Sequence, residues 1–262
     1  MGILHWHLFQ RRFEDSHHST CGGAVVIRPG IAFLASGRSS VGSHDPFFSN
    51  VVLLLHCDGP NASTTFTDSS SKNHVVTPTA SQIASSPSKF GTGSASVTSG
   101  NASLDVASSS DFAFGTSDFT IEFWFITATA WGSSNLPAFI ETRDSSGSGN
   151  GPVLYVDSTP QLIYYNGSNR ILGGSPSVPT LSAWTHIAIC RSSGVTRLFV
   201  GGSQVGTNYA DTSNYPASRL RISSSYLGAN SANGYIDEIR ITNGVGRYTS
   251  NFTPPTTPFP NS

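Results

Sequence analysis

The segment Asp118–Ile126, DFTIEFWFI, limits what this chain can fold into more than any other stretch. Side chains along a strand alternate between faces, so Phe119, Ile121, Phe123 and Phe125 form one unbroken apolar face. Thr120, Glu122 and Trp124 form the other. A face so apolar must be covered by a second sheet, which makes a β-sandwich the expected architecture.

The same reading predicts strands over Asn50–Asp58, His74–Thr77, Gly91–Val97, Ala102–Val106, Ala138–Thr142, Val153–Asp157 and Gln161–Tyr165. Trp184–Arg191 and Thr196–Val200 read as a hairpin, and Arg219–Ser223 and Tyr226–Gly228 precede a last strand. On Asn50–Asp58, alternation places Val52, Leu54, His56 and Asp58 on one side. No segment longer than one turn has helical periodicity, so the chain is all-β. The tail Tyr248–Pro260 is too proline-rich for a helix or central strand and is expected to run along the surface.

Residues 1–46 differ in character. They hold His5, His7, His17, His18 and His44, together with the stretch CGGAVVIRPGIAFLASG. Ala24–Ile27 and Ile31–Ala35 suffice only for short strands, so this part reads as an extended N-terminal arm that orders against a partner. Its histidines lack a companion Cys or carboxylate at a ligand spacing and read as solvated or docking residues. Residues 47–262 form the domain proper.

Charged residues make up only 11% of the 262, well under the usual ~25%, and formal net charge is −1. Electrostatic capture of nucleic acid or an anionic membrane is therefore not expected. No apolar run of ~18 residues exists to insert into a bilayer. The two arginines follow the short N-terminal apolar patch, which argues against a signal peptide. Cys21, Cys57 and Cys190 are odd in number and lack CxxC spacing, which suits thiols in a reducing compartment; a Cys57–Cys190 bridge is the one alternative.

The stretch Asn233–Tyr248, NGYIDEIRITNGVGRY, closes the chain. Strict alternation puts Asp237 on one face with Tyr235, Ile239 and Ile241. A carboxylate among such neighbours has to be hydrogen-bonded, ion-paired or metal-bound.

Three segments together resemble one family: VVLLLHCDG…FTDSSSKNH, DFTIEFWF, and WTHIAICRSSGVTRLFVGGSQVG…LGANSANGYIDEIRI. They are similar to a laminin-G-like, concanavalin A-like jelly roll, over roughly residues 47–259. The resemblance implies two antiparallel sheets face to face, with first and last strands adjacent. It also implies a structural Ca²⁺ near that junction, for which Asp58 and Asp237 are the matching positions. The alternative for Asp237 is a set of backbone N–H donors or His56. The family often has Val-Asp-Gly where this chain has Val200-Gly201-Gly202, so one turn carboxylate is missing.

The closing GYIDEIRITNGVGRYTSNFTPPTTPFP especially resembles virion proteins of marine phages, tail-fibre or capsid-associated. That resemblance implies a virion structural protein made in the host cytoplasm and exposed on the particle surface. Residues 1–46 would bind other virion proteins, the chain would be a homo-oligomer in the particle, and the jelly roll would meet host-surface glycans.

Sugar binding needs aromatic platforms among polar groups, and Trp131, Tyr164, Tyr165, Tyr209, Tyr215 and Tyr226 lie in or near predicted loops. A secreted or cell-surface adhesion module is the alternative, with glycosylation sequons at Asn61, Asn101, Asn166 and Asn251. Catalysis is not expected. Glycoside hydrolysis needs two facing carboxyl groups, and TIEFWF supplies only Glu122, which reads as an ion-pair or hydrogen-bond partner. Asp237 and Glu238 are consecutive and point apart, and His186 reads as a packed residue.

Overall fold

The computed structural model describes residues 44–262 except 132–135, 145, 175–176, 217 and 227–229. The arm of residues 1–46, with its histidines and partner surface, lies almost wholly outside the described residues. Its last two residues, Asp45 and Pro46, belong to the packed domain, for Asp45 is buried.

The strands in chain order are β1 (Val51–Leu55), β2 (Val76–Thr79), β3 (Gln82–Ala84), β4 (Ser94–Ser96) and β5 (Ser103–Ser109). Then come β6 (Phe119–Thr127), β7 (Ala138–Glu141), β8 (Val153–Val156), β9 (Leu162–Tyr165) and β10 (Asn169–Leu172). Last are β11 (Thr185–Ser192), β12 (Val195–Val200), β13 (Ser203–Ala210), β14 (Ser218–Ile222) and β15 (Gly234–Asn243). Among the described residues the helical pieces are two 3-10 turns, Phe48–Asn50 and Ser110–Phe112. No helix there is long and apolar enough to cross a membrane.

The strands form two antiparallel sheets. An eight-stranded sheet runs β13-β12-β11-β6-β15-β4-β3, with β1 also paired to β15; a seven-stranded sheet runs β10-β9-β8-β7-β14-β5-β2. As expected, Phe119, Ile121, Phe123 and Phe125 of β6 face the other sheet, and Phe139 of β7 meets Phe125 with ring centroids 4.8 Å apart. The first and last strands are neighbours, as the resemblance implied. The β11–β12 and β12–β13 hairpins turn on Ser193-Gly194 and Gly201-Gly202, pairs in which both residues have positive φ. That is the two-residue geometry whose twist matches the flanking strands.

Strict alternation fails in both terminal strands, for one physical reason. In β15, Asp237 pairs with Trp124 while Arg240 pairs with Glu122, so one extra residue is accommodated by a bulge. Glu238 sits at the bulge with φ +51°. A bulge shifts the alternation by one, so Ile236, Ile239 and Ile241 all enter the core. Asp237 and Arg240 go to the opposite face, and the expectation that Asp237 lies among Tyr235, Ile239 and Ile241 is corrected. In β1 a register shift between Val51 and Leu53 does the same. Val52, Leu53 and Leu55 face the core, whereas Leu54 points outward. Val52 and Leu54 therefore do not share a side.

Candidate functional site

The two outer faces of the sandwich differ, and that difference locates the candidate site. On the eight-stranded sheet, the outward residues of β6, β11 and β15 meet the C-terminal tail. Tyr248 and Phe252 stack at 3.7 Å and pack on Phe199, Ala188 and Cys190. Further along, Phe259 packs on Val51 and Leu54. The tail is thus a packing element, and not only a surface strand as its prolines suggested. At Gly202 the chain has φ +78° and the tail passes so close that a Cβ would strike the Phe252 carbonyl. Phe252 N–H donates to the Gly202 carbonyl at 2.9 Å.

Beneath the tail lies a buried charge network. Arg240 donates to Glu122 Oε1 from Nε and Nη2 at 2.9 and 2.8 Å, and Tyr248 Oη donates to Oε2 at 2.7 Å. His186 Nε2 lies 3.2 Å from the same carboxylate. Burial would push the Glu122 carboxyl up, but the Arg240 charge, helped by His186 and Tyr248, holds it down to about 2. Asp45 bridges Arg240 and Arg247 at 3.1 and 2.7 Å, and the Arg240 guanidinium lies 3.9 Å from the Phe259 ring centroid. Glu122 and His186 are therefore packed partners of other side chains, as their sequence context suggested.

Asp237 occupies the edge of this region. Its Oδ2 accepts from the N–H groups of Lys89 and Phe90 at 2.7 and 3.1 Å, and its Oδ1 from Glu238 N–H at 2.8 Å. Burial nevertheless pushes its carboxyl up to about 7, against those donors. Asp58 is exposed, and its Oδ1 accepts from Thr92 N–H, from Thr92 Oγ1 at 3.0 Å and from Gly93 N–H at 3.2 Å. Calcium takes six to eight oxygens, yet no cluster of three or more His, Cys, Asp or Glu suited to a metal occurs among the described residues. N–H donors already engage both Asp237 oxygens. These residues do not by themselves fit a calcium cage; they fit the hydrogen-bonded alternative.

The seven-stranded sheet presents its outer face openly. Register alone builds a row of outward residues across it. Tyr165 pairs with Val153, Val153 with Glu141, Glu141 with Arg221, Arg221 with Asp105, and Asp105 with Thr77. Tyr155, two residues from Val153, stands on the same face. Leu136, Ala138, Arg143, Val153, Tyr155 and Tyr165 line a cavity of about 350 Å³. A separate groove of about 510 Å³ lies over β14, β5 and β2, lined by Thr77, Thr79, Asp105, Ser108, Arg219 and Arg221.

The row is braced by charge. Arg221 grips Asp105 from Nε and Nη2 at 2.8 and 3.3 Å. Arg143 Nη2 lies 2.6 Å from the buried Glu141, whose other oxygen accepts from Tyr226 N–H at 3.0 Å. The Arg143 guanidinium also stacks on Tyr165, at 5.2 Å. Aromatic rings and fixed polar groups around an open cavity are the ingredients of a sugar site.

Of the expected aromatic platforms, Tyr165 and Tyr226 are on this face and the others are not. Tyr164 and Tyr215 are buried and share a 2.8 Å hydroxyl contact beside Asp211, so neither is a platform. Each falls inside because its neighbours along the chain, Tyr165 and Asn214, take the outward positions. Tyr209 is half-buried against Tyr164, with Arg170 over its ring. Trp131 donates its indole N–H to the Pro179 carbonyl at 2.7 Å and lines a separate cavity of about 170 Å³. Tyr155 lies on a strand and not in a loop, and the alternation of Val153–Val156 sets it opposite Leu154 and Val156. Cys57 and Cys190 are free thiols, the first in the core between the sheets and the second under the tail. The sequon residue Asn166 is buried and donates to Tyr215 Oη at 2.7 Å, leaving no room for a glycan there.

Residues 93–246 match the family model described as the concanavalin A-like lectin/glucanases superfamily, more than half of the chain. The chain belongs to that superfamily. Comparison with curated proteins gives no significant match. Among solved structures, the binding domain of botulinum neurotoxin DC in complex with SialylT is similar at TM-score 0.55 and 16% identity, over 76% of this chain and 49% of that one. The botulinum neurotoxin serotype D ligand binding domain in complex with N-acetylneuraminic acid matches at TM-score 0.55 and 13% identity, over 76% and 49%. The neurotoxin DC binding domain in complex with rat synaptotagmin II gives TM-score 0.52 and 14% identity, over 76% and 49%. This superfamily member spans about half the length of each of those chains, and identities so low establish shared fold alone.

Proposed function

We propose that this domain is a non-catalytic, lectin-like module that binds glycan on the outer face of its seven-stranded sheet. The observation that carries the reading is the open cavity where Tyr155 and Tyr165 stand beside Arg143, on the same sheet face as the Arg221–Asp105 groove. Tyrosine rings accept the apolar face of a sugar, and braced polar groups supply orientation without rearrangement. Two of the similar neurotoxin domains carry sialylated ligands in their structures, which agrees with this reading by analogy.

Catalysis does not suit the carboxylates present. Glycoside hydrolysis needs one carboxyl to give a proton and a second to attack or to activate water. On the open face Asp105 is held by both arms of Arg221, and Glu141 is buried against Arg143. On the other face Glu122 is sealed beneath Tyr248 and Arg240.

The test is glycan-array binding followed by calorimetry on the best ligand. Tyr155→Ala together with Tyr165→Ala should weaken binding about tenfold or more. A correctly folded wild-type chain that binds no glycan sinks the reading.

Display on a phage particle is the finer part of the proposal, with residues 1–46 docking to other virion proteins and host-surface glycans as ligands. What supports it is the resemblance of the closing segment to marine phage virion proteins. Mass spectrometry of purified particles tests it separately, and absence from the virion removes that part while leaving glycan binding intact.

A further inference from the structure

The charges lining the groove over β14, β5 and β2 do not balance: Arg219 and Arg221 stand there against Asp105. Elsewhere on this face Arg143 stands beside Glu141, and Asp157 lies near Tyr155. Arg143 is matched by Glu141 and Arg221 by Asp105. Arg219 has no carboxylate partner among the described residues, and its close neighbour is the ring of Tyr226, 5.1 Å from the guanidinium. That ring also lies 4.4 Å from the Arg221 guanidinium, and the Tyr226 backbone is tied to Glu141. Stacking on an anchored ring fixes the plane of a guanidinium while leaving its N–H edge free. Arg219 lines the 510 Å³ groove together with the hydroxyl-bearing Thr77, Thr79 and Ser108.

From this juxtaposition we infer that the groove over β14, β5 and β2 is an anion subsite, and that the glycan taken by this face is an acidic one. Its carboxylate or sulfate group pairs with the free edge of Arg219. Its neighbouring sugar ring lies on Tyr155 and Tyr165. The inference rests on the open face being the glycan surface. Geometry suits an extended ligand, since β8 and β14 are separated by β7 alone, about 10 Å at ordinary strand spacing. A planar guanidinium held by stacking favours bidentate recognition of a planar carboxylate or of two sulfate oxygens. The compensated Arg221–Asp105 pair beside it offers both a donor and an acceptor to sugar hydroxyls.

The experiment compares paired oligosaccharides that differ in charge alone: oligogalacturonate with its methyl ester, oligoalginate with its methyl ester, and a sulfated carrageenan oligomer with its desulfated form. Wild type should bind the acidic member of at least one pair about tenfold more tightly than its neutral counterpart, and added salt should erase the difference. Arg219→Gln should remove the preference, so that the acidic member binds no more tightly than its neutral counterpart. The Tyr155→Ala, Tyr165→Ala double variant should weaken both members alike. Equal affinity for both members, unaltered by Arg219→Gln, overturns the anion subsite while the glycan surface stands. A folded wild-type protein that binds neither member of any pair overturns both.

Discussion

The two outer faces of this sandwich begin from similar material and end differently. Each carries aromatic residues, arginines and carboxylates on outward strand positions. On the eight-stranded sheet they are roofed by Tyr248, Phe252 and Phe259, and Glu122 is fully buried. On the seven-stranded sheet Tyr155, Tyr165 and Arg219 stay partly exposed beside cavities, and Leu136 is 49% exposed. The tail decides the difference. A roofed charge must be fully paired or it destabilises the fold, whereas an open one is solvated and free to meet a ligand. One face is therefore sealed by internal pairing and the other is left open to solvent.

The largest test of that contrast is Arg240→Ala. It removes the guanidinium shared by Glu122 and Asp45 and strands a buried carboxylate, which should cost about 3–5 kcal/mol. Urea denaturation measures it. On the open face, Tyr155→Ala and Tyr165→Ala should change stability by only about 0.5 kcal/mol each. Comparable losses on the two faces would break the comparison.

How far the sequence displayed this contrast depends on the element. Strand β6 was legible outright, because four large apolar residues at period two leave no other arrangement. The pairing of the first and last strands followed from the family resemblance. The direction of Asp237 was not legible, since a bulge is one extra residue whose cost is borne by backbone conformation, and Glu238 is not a glycine that would advertise it. Short strands such as β3 and β10 were passed over because three or four residues show too little alternation to count. The tail misled for a different reason. Proline content says that Tyr248–Pro260 cannot pair within a sheet, but says nothing about which of its aromatics find a pocket. The row on the open face escaped because its residues sit on different strands. Tyr165, Glu141, Arg221 and Asp105 become a row only through register, which no local pattern encodes.

A medium effect should come from pH, on the roofed side. The hydrogen bond that His56 Nδ1–H donates to the Glu238 carboxylate at 2.8 Å raises the imidazole from the usual 6.5 to about 9. The folded state thus binds this proton more tightly than the unfolded chain does. Its stabilisation is complete below pH 6.5 and is lost as pH rises through about 9. Glu238 also accepts from Phe259 N–H, and His56 reaches Asn261, so the loss would loosen the tail end. Urea midpoints of wild type should fall by about 1–2 kcal/mol in stability between those limits. Glu238→Gln should flatten the profile. Asp237, pushed up to about 7, adds a loss of the same sign in the lower part of this window, so the His56 contribution is read from the fall between about pH 8 and 9. An unchanged slope in the variant would assign the pH dependence elsewhere.

The smallest expected effect concerns the junction of first and last strands. Asp58 and Asp237 are the positions at which calcium would be sought. Each already has donors within the fold: Thr92 and Gly93 for Asp58, and Lys89, Phe90 and Glu238 for Asp237. A cation that stabilises the folded chain raises its melting temperature in proportion to how tightly it binds. With both oxygens of Asp237 already engaged by N–H groups, EDTA should leave the melting temperature where it was, and added calcium should not raise it. A drop of several degrees on chelation, restored by calcium, would show that this edge of the roofed face is fastened by an ion.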